Sequence, residues 1–361
     1  LLLSPRALEQ GITTQDQYEG VEPTRLGGLE DFKISAIVPL YNGERFIEEA
    51  LVSISHQTLK PIEVIVIDDG STDGGVDKVR NLDLGIPLKV VGQENAGQSA
   101  ARNEGARLAT GDHLAFLDQD DVWYPRHLEL LARAFVEWDG PLELGWSYGD
   151  LDILDINGNL VSRAILKRDQ LGWPHPKENL LDLLAHDMFV VPSASLVLKE
   201  AFFSVDGFDE RLMGFEDDDL FLRLFRARWG NAFVEDSVGQ WRIYLQSSSY
   251  SWRMRRSRRI YAEKLFEMFF DDRVSHKYYV RDVMAPRFLY QVLGGYARAV
   301  EMRDGSHVNV VDDVYFFSKR LRFSRRVKWH LLTPLLRWRS MPPWILDAGS
   351  YRRLSLRQHL L

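Results

Sequence analysis

The chain has 361 residues, 45% of them apolar and 27% charged, enough for a large core and for two domains. It contains no cysteine, which excludes disulfides, thiolate catalysis and Cys-ligated metal sites. The longest charge-free stretch, Met188 to Leu198, is eleven residues, too short to cross a membrane as a helix.

Residues 1–30 are polar and aperiodic and read as a lead-in segment. They open Leu1-Leu2-Leu3-Ser4 with no Met and no basic run, so the expectation is a piece of a longer chain rather than a signal peptide. From Lys33 short apolar runs alternate with helical periodicity. Ile34–Val38, Ile62–Ile67, Leu88–Val91 and His113–Leu117 read as strands. Glu44–Gln57, Gln98–Ala109 and Pro125–Trp138 read as helices, with Pro125 suited to a first helical turn. Alternation of this kind implies an α/β domain with a mostly parallel sheet flanked by helices. Further on, Gly145–Leu154 and Ala194–Leu198 read as strands and Asp217–Arg228 as a helix. The α/β domain is therefore expected over residues 31–250. Residues 251–361 read as a mostly helical, basic C-terminal region, broken near Pro286, near Gly294-Gly295, and at Pro334, Pro342 and Pro343.

Charge is unevenly placed. The segment Lys319–Leu361 carries +10, leaving −17 for residues 1–318. A second basic cluster runs from Arg253 to Arg259. Basic patches on an acidic body point to an anionic partner met by one region only. Trp329, Leu331, Leu332, Leu335, Leu336, Trp338 and Trp344, interleaved with Arg, suit a peripheral contact with a membrane surface. No nucleic-acid motif accompanies the charge.

Polar clusters follow three of the strands: Pro39-Leu40-Tyr41-Asn42-Gly43, Asp68-Asp69-Gly70-Ser71-Thr72-Asp73 and Asp118-Gln119-Asp120-Asp121. In a parallel sheet these fall along one edge, where ligands bind. Carboxylates crowded at a strand end repel one another unless a cation neutralises them, and a hard divalent cation is the usual answer. Tyr41 is suited to stacking on a base, and the Asp69 carboxylate to accepting from a base N–H. Asn95-Ala96-Gly97-Gln98-Ser99 precedes a helix, where free amides suit a phosphate or merely cap the helix. Glu216-Asp217-Asp218-Asp219 places four acids at a helix start, more than capping requires. One of them facing the cleft would serve as a general base. Trp123, directly after the acid cluster, is a candidate wall of the site, whereas His56, His113, His175 and His186 read as structural.

Together these stretches resemble an inverting, family 2-type glycosyltransferase with the GT-A fold. The matching runs are Ile34 to Asn42, Ser55-His56-Gln57-Thr58, Glu63 to Asp73, Asn95-Ala96-Gly97 with Ala101-Arg102-Asn103, Phe116 to Asp121 with Pro125, Gly207-Phe208-Asp209-Glu210, and Glu216-Asp217 with Asp219-Leu220. The resemblance implies that Pro39, Tyr41, Asp69, Gly97, Arg102, Asp118 and Asp121 bind a nucleotide sugar, with UDP the expected nucleotide. It implies a divalent cation, Mn2+ or Mg2+, on Asp120 and Asp118. Asp217 would be the catalytic base, with Glu216 beside it. The acceptor would be a hydroxyl of a glycan or lipid-linked glycan of the bacterial surface, and the location cytoplasmic or peripheral on the inner membrane face. Relatives often carry a metal-binding His after an Arg near the domain's end, whereas here Arg242-Ile243 is followed by Tyr244. A nucleotidyltransferase and a non-catalytic glycan-binding module remain open. The first would want a basic, Gly-rich loop after Val38, and the second would not need Asp118, Asp120 and Asp217.

Overall fold

A computed structural model describes residues 28–29, 32–244, 252–301 and 307–336. The lead-in segment lies outside these apart from two residues, as do Trp338, Pro342, Pro343 and Trp344. The chain divides into two compact units. The first is residues 1–178 with 188–250, and the second is residues 179–187 with 251–361.

The first unit is built on a nine-stranded sheet. In chain order its elements are β1 (Ile34–Leu40), α1 (Ile47–Ser55), β2 (Glu63–Asp68), α2 (Gly75–Arg80), β3 (Leu88–Gly92), α3 (Gln98–Leu108), β4 (His113–Phe116), β5 (Val122–Trp123) and α4 (His127–Val136). Next come β6 (Leu144–Leu154), β7 (Leu160–Ser162) and α5 (Ile165–Arg168). The segment α6 (Leu180–Ala185) belongs to the second unit. The first unit resumes with β8 (Ser195–Leu198), α7 (Lys199–Ser204), α8 (Glu216–Arg226) and β9 (Gly230–Arg242).

Strand order is β3-β2-β1-β4-β8-β6-β9-β5, with β7 on β6. The β3-β2-β1-β4 half is parallel throughout, and β8 and β5 run against their neighbours. The fold is thus the mixed α/β architecture that the alternation implies. The apolar runs of β1 and β2 are buried on both faces because helices cover both. Helix α3 lies so close to β1 that a Cβ on Gly105 would collide with Ile37. From β1 the chain steps outward to β2 and β3, then returns to place β4 on the other side of β1. That reversal makes the carboxyl ends of β1 and β4 the topological switch point, where a crevice opens.

The long strand β9 has no clear sequence signal. Its apolar residues are interrupted by Glu235-Asp236 and Gly239, and its pairing with β6 shifts register three times. Helical periodicity overstates α1, which begins three residues late because Glu44, Arg45 and Phe46 form a turn.

In the second unit the helices are α6, α9 (Trp252–Met268), α10 (Ala285–Glu301), α11 (His307–Ser318) and α12 (Phe323–Leu336), with a π turn at Val280–Met284 before α10. The expected breaks at Pro286 and Gly294-Gly295 do not occur. Pro286 has no amide to donate backward, and the turn it would have closed is the widened π turn. Val292, Leu293 and Tyr296 are buried around the glycine pair, so packing outweighs the low helix propensity. Arg287 is buried and donates to the Leu183 carbonyl (3.0 Å) and the Asp187 carboxylate (2.9 Å), which ties α6 to α10. Among the described residues no helix is long and apolar enough to cross a membrane.

Candidate active site

The loops at the switch point are tied together by hydrogen bonds. Gln119, after β4, accepts from the Tyr41 amide (2.8 Å) and donates to its carbonyl (3.1 Å), joining the ends of β1 and β4. Asn42 takes a left-handed conformation, and its side chain accepts from the Thr72 amide (2.8 Å), joining β1 to the loop after β2. Tyr41 is left 44% exposed at the mouth of the crevice, available for stacking. Pro39 is buried two residues back, inside β1, so it supports the pocket from behind.

Asp69 and Gly97 shape the loop that leads into α3. The buried Asp69 carboxylate accepts from the amides of Ala96 (2.7 Å) and Gly97 (2.8 Å) and from the Gln93 side chain (2.8 Å). Those amides are therefore held by protein, and Asp69 anchors the loop that enters α3. Gly97 has φ of 93° and its missing Cβ makes room for Met213, so it sets the direction in which α3 starts.

Among the acids after β4, position decides role. Asp121 is 3% exposed, and its two oxygens accept from Ser193 Oγ (2.5 Å) and the Arg242 amide (3.0 Å). It fastens β9 to the segment before β8. Asp118 and Asp120 are half-buried. Burial, then the charge of Asp118, raises the Asp120 carboxyl above its ordinary range. The Tyr244 hydroxyl donates to Asp120 Oδ2 (2.8 Å), and the Arg242 guanidinium donates to the Asp120 carbonyl (2.9 Å). Tyr244 and Arg242 lie at the end of β9, so the weak signal of that strand hid their approach. The residue pattern alone marked Tyr244 only as a departure.

The four acids at the start of α8 also separate. Asp219 pairs with Arg223 (2.7 Å), and Asp218 accepts from the Met188 amide (2.8 Å). Both are structural. Glu216 Oε1 accepts from Gln98 and from Arg102 Nη1 (3.1 Å), while its buried Oε2 has no hydrogen-bond partner among the described residues. Asp217 is half-buried, and among the described residues the following amide donates to it (2.8 Å). Burial, then Glu216 and Asp218, pushes its carboxyl well above the usual range.

Arg102 joins the two clusters. Its side chain is 1% exposed; one nitrogen binds Asp118 and another binds Glu216. Helix α3 thus holds the end of β4 beside the start of α8. Asn103, one residue on, exchanges hydrogen bonds with the Phe208 backbone (2.9 Å each way) and donates to Glu210 (3.0 Å), which accounts for the Gly207-Phe208-Asp209-Glu210 run. Trp123 is not a wall of the site. It is 1% exposed, donates to the Ser193 carbonyl (2.7 Å) and stacks on His127.

Among the described residues no group of three or more His, Asp or Glu has the geometry to hold a metal ion unaided. Asp118 and Asp120 suit a cation shared with a diphosphate, which takes one or two carboxylates and fills its remaining positions from phosphate and water. Burial and then the charge of Asp118 disfavour an ionised Asp120, and such a cation would relieve both.

The first unit is thus a mixed α/β sheet with carboxylates at the switch point of its parallel half, tied by Arg102 to a second acidic cluster at a helix start. Residues 35–141 match the family model "Glycosyl transferase family 2". An uncharacterized glycosyltransferase of Rickettsia bellii is 32% identical over 199 residues, covering 54% of this chain and 27% of that protein. Glycosyltransferase GlyA of Streptococcus pneumoniae is 38% identical over 121 residues, covering 33% of this chain and 17% of that protein. The chain thus spans about a quarter and a sixth of these two relatives. The crystal structure of S. aureus TarS 1-349 in complex with UDP-GlcNAc superposes with a TM-score of 0.59 at 22% identity, covering 90% of this chain and 92% of that one. Residues 35–141 are thus similar to family 2 glycosyltransferases, on a mixed α/β fold that resembles that of TarS, and a helical region follows in the chain.

Proposed function

We propose that this protein transfers a sugar from a nucleoside diphosphate donor, with UDP as the nucleotide, to a hydroxyl of a bacterial surface glycan or its lipid-linked precursor. The observation that carries the reading is the Arg102 bridge, because it brings a carboxylate pair and a candidate base to one cleft. Tyr41 stacks on the base, while Asp118 and Asp120 face the ribose and diphosphate. A divalent cation bound there would offset charge growing on the leaving diphosphate. Glu216 Oε2, buried and unpartnered, accepts a hydroxyl of the sugar or acceptor. Asp217 takes the acceptor proton as the oxygen attacks the anomeric carbon. The bond from that carbon to the diphosphate oxygen breaks in the same displacement, and configuration inverts. A carboxyl raised by its surroundings is the stronger base for this step. The choice of UDP draws on the solved complexes of TarS with UDP and UDP-GlcNAc.

The test is calorimetric titration with UDP in Mn2+ and in EDTA, followed by NMR of the product formed from a UDP-sugar panel. Cation-dependent UDP binding and an inverted anomeric centre are expected. Nucleotide affinity indifferent to chelation removes the metal from the proposal, and retained configuration removes the single displacement.

A further inference from the structure

The second unit carries a surface that the transferase reading leaves unused. Helix α12 turns Trp329 (8% exposed) and Thr333 (7% exposed) inward. Trp329 is therefore not one of the outward residues its place among basic neighbours suggests. The outward ridge is Phe323 (72% exposed), Val327 (41%) and Leu331 (72%). These are spaced four apart, so they stack along one face of the helix. Pro334, also exposed, falls on the same ridge.

Cations flank this ridge. Lys328 is exposed on one side of it, half-buried Arg326 and exposed His330 lie on the other, and exposed Arg325 lies further round the helix. The Arg326 guanidinium lies 5.4 Å from the centre of the Phe323 ring. The ridge continues onto α11, where Tyr315 is 45% exposed, meets the His330 ring at 5.1 Å and is covered by the Lys319 ammonium at 4.0 Å. No carboxylate pairs with Lys319, Arg325, Arg326 or Lys328 among the described residues. Elsewhere in this unit cations do find acids: Arg281 and Arg322 share Asp282, and Arg255 pairs with Asp313.

Exposed aromatic and aliphatic side chains rimmed by unneutralised cations match one environment, the boundary between acyl chains and anionic headgroups. A second copy of the same ridge is a poor occupant, because self-pairing would set Arg325, Arg326 and Lys328 against themselves. We propose that α12 docks this protein on an anionic lipid bilayer, with Phe323, Val327 and Leu331 entering the headgroup boundary and Arg325, Arg326 and Lys328 contacting lipid phosphates. The inference is independent of the reaction assigned to the first unit.

The full chain should co-sediment with vesicles of phosphatidylcholine containing phosphatidylglycerol, should not co-sediment with pure phosphatidylcholine, and should be released by high salt. Each cation near such a surface is worth roughly fivefold in partitioning. The triple variant Arg325→Gln, Arg326→Gln, Lys328→Gln should therefore bind about a hundredfold more weakly. Phe323→Ser with Leu331→Ser should lose at least about tenfold. UDP binding and the melting temperature should not change in either variant. Because the chain has no cysteine, Leu331→Cys can carry an environment-sensitive dye at a unique position. Its emission should shift to the blue with phosphatidylglycerol vesicles, which tests the ridge without removing it. Absence of vesicle binding, equal binding to neutral vesicles or an unmoved dye spectrum would overturn the proposal. So would a concentration-dependent dimer dissolved by the two serine substitutions.

Discussion

Arg102→Met tests whether the bridge between the two acidic clusters organises the site. Removing one partner of a buried ion pair costs about 3–5 kcal/mol, because the remaining charge is left uncompensated. The two carboxylates are not stranded equally. The Asp118 side chain is 28% exposed and water can take over its charge, whereas that of Glu216 is 7% exposed. With only one acid fully stranded, the lower end of the range, about 3 kcal/mol, applies. In a unit of this size each kcal/mol shifts the melting temperature by roughly 2–4 °C, so Arg102→Met should melt about 6–12 °C below wild type. Glu216→Gln in the same chain removes the stranded charge and should restore part of that loss. A double-mutant cycle by thermal unfolding should return a coupling of about 1–3 kcal/mol. A single variant within about 2 °C of wild type, or a double variant no more stable than Arg102→Met, would refute the reasoning.

Asp217→Asn should lower sugar transfer by roughly two to four orders of magnitude while leaving UDP affinity intact. The same variant should be more stable than wild type at alkaline pH. A carboxyl raised in the folded state contributes stability below its unfolded pKa, and that contribution is lost as pH rises through the folded value. The gain in melting temperature should therefore shrink as pH falls toward about 4, the ordinary carboxyl range, and a pH-independent gain would contradict the assigned cause. Tyr244→Phe deletes the donor that holds Asp120 Oδ2. Loss of such an orienting partner typically weakens metal binding by about 10–100-fold, so Mn2+-dependent UDP affinity should fall by that factor in calorimetry. Affinity in EDTA should be the same as for wild type, and an equal fall in both conditions would place Tyr244 on the nucleotide instead.

The parallel half of the fold was legible because its central strands β1 and β2 are short, rich in Ile and Val and buried, and α1 carries one apolar stripe. The mixed half was less so. Strand β9 carries acids and a glycine where its register slips, and the two-residue β5 has no period to read. Nor does Leu180–Ala185 announce that it groups with residues seventy positions further on. That grouping rests on the buried Arg287 reaching the carbonyl of Leu183 and the carboxylate of Asp187.

Composition could mark the acidic clusters but not divide them, because what separates their members is which oxygens are already engaged. Asp121, Asp218 and Asp219 each accept from an amide, a hydroxyl or a guanidinium that holds the fold together. Asp118, Asp120, Glu216 and Asp217 remain around the cleft. Against these four carboxylates stands Arg102, while Arg242 is already paired with Glu49 at 2.7 Å. Were all four ionised, one cation would leave the cleft strongly negative, and a diphosphate would meet repulsion rather than a cradle. Two responses are open to the protein: burial and neighbouring acids raise carboxyls above their ordinary range, as at Asp120 and Asp217, or a divalent cation can enter with the donor. The first makes the Asp217 carboxylate a stronger base. The second is the physical ground for proposing a metal at Asp118 and Asp120, where the Arg102 guanidinium that meets Asp118 is already shared with Glu216.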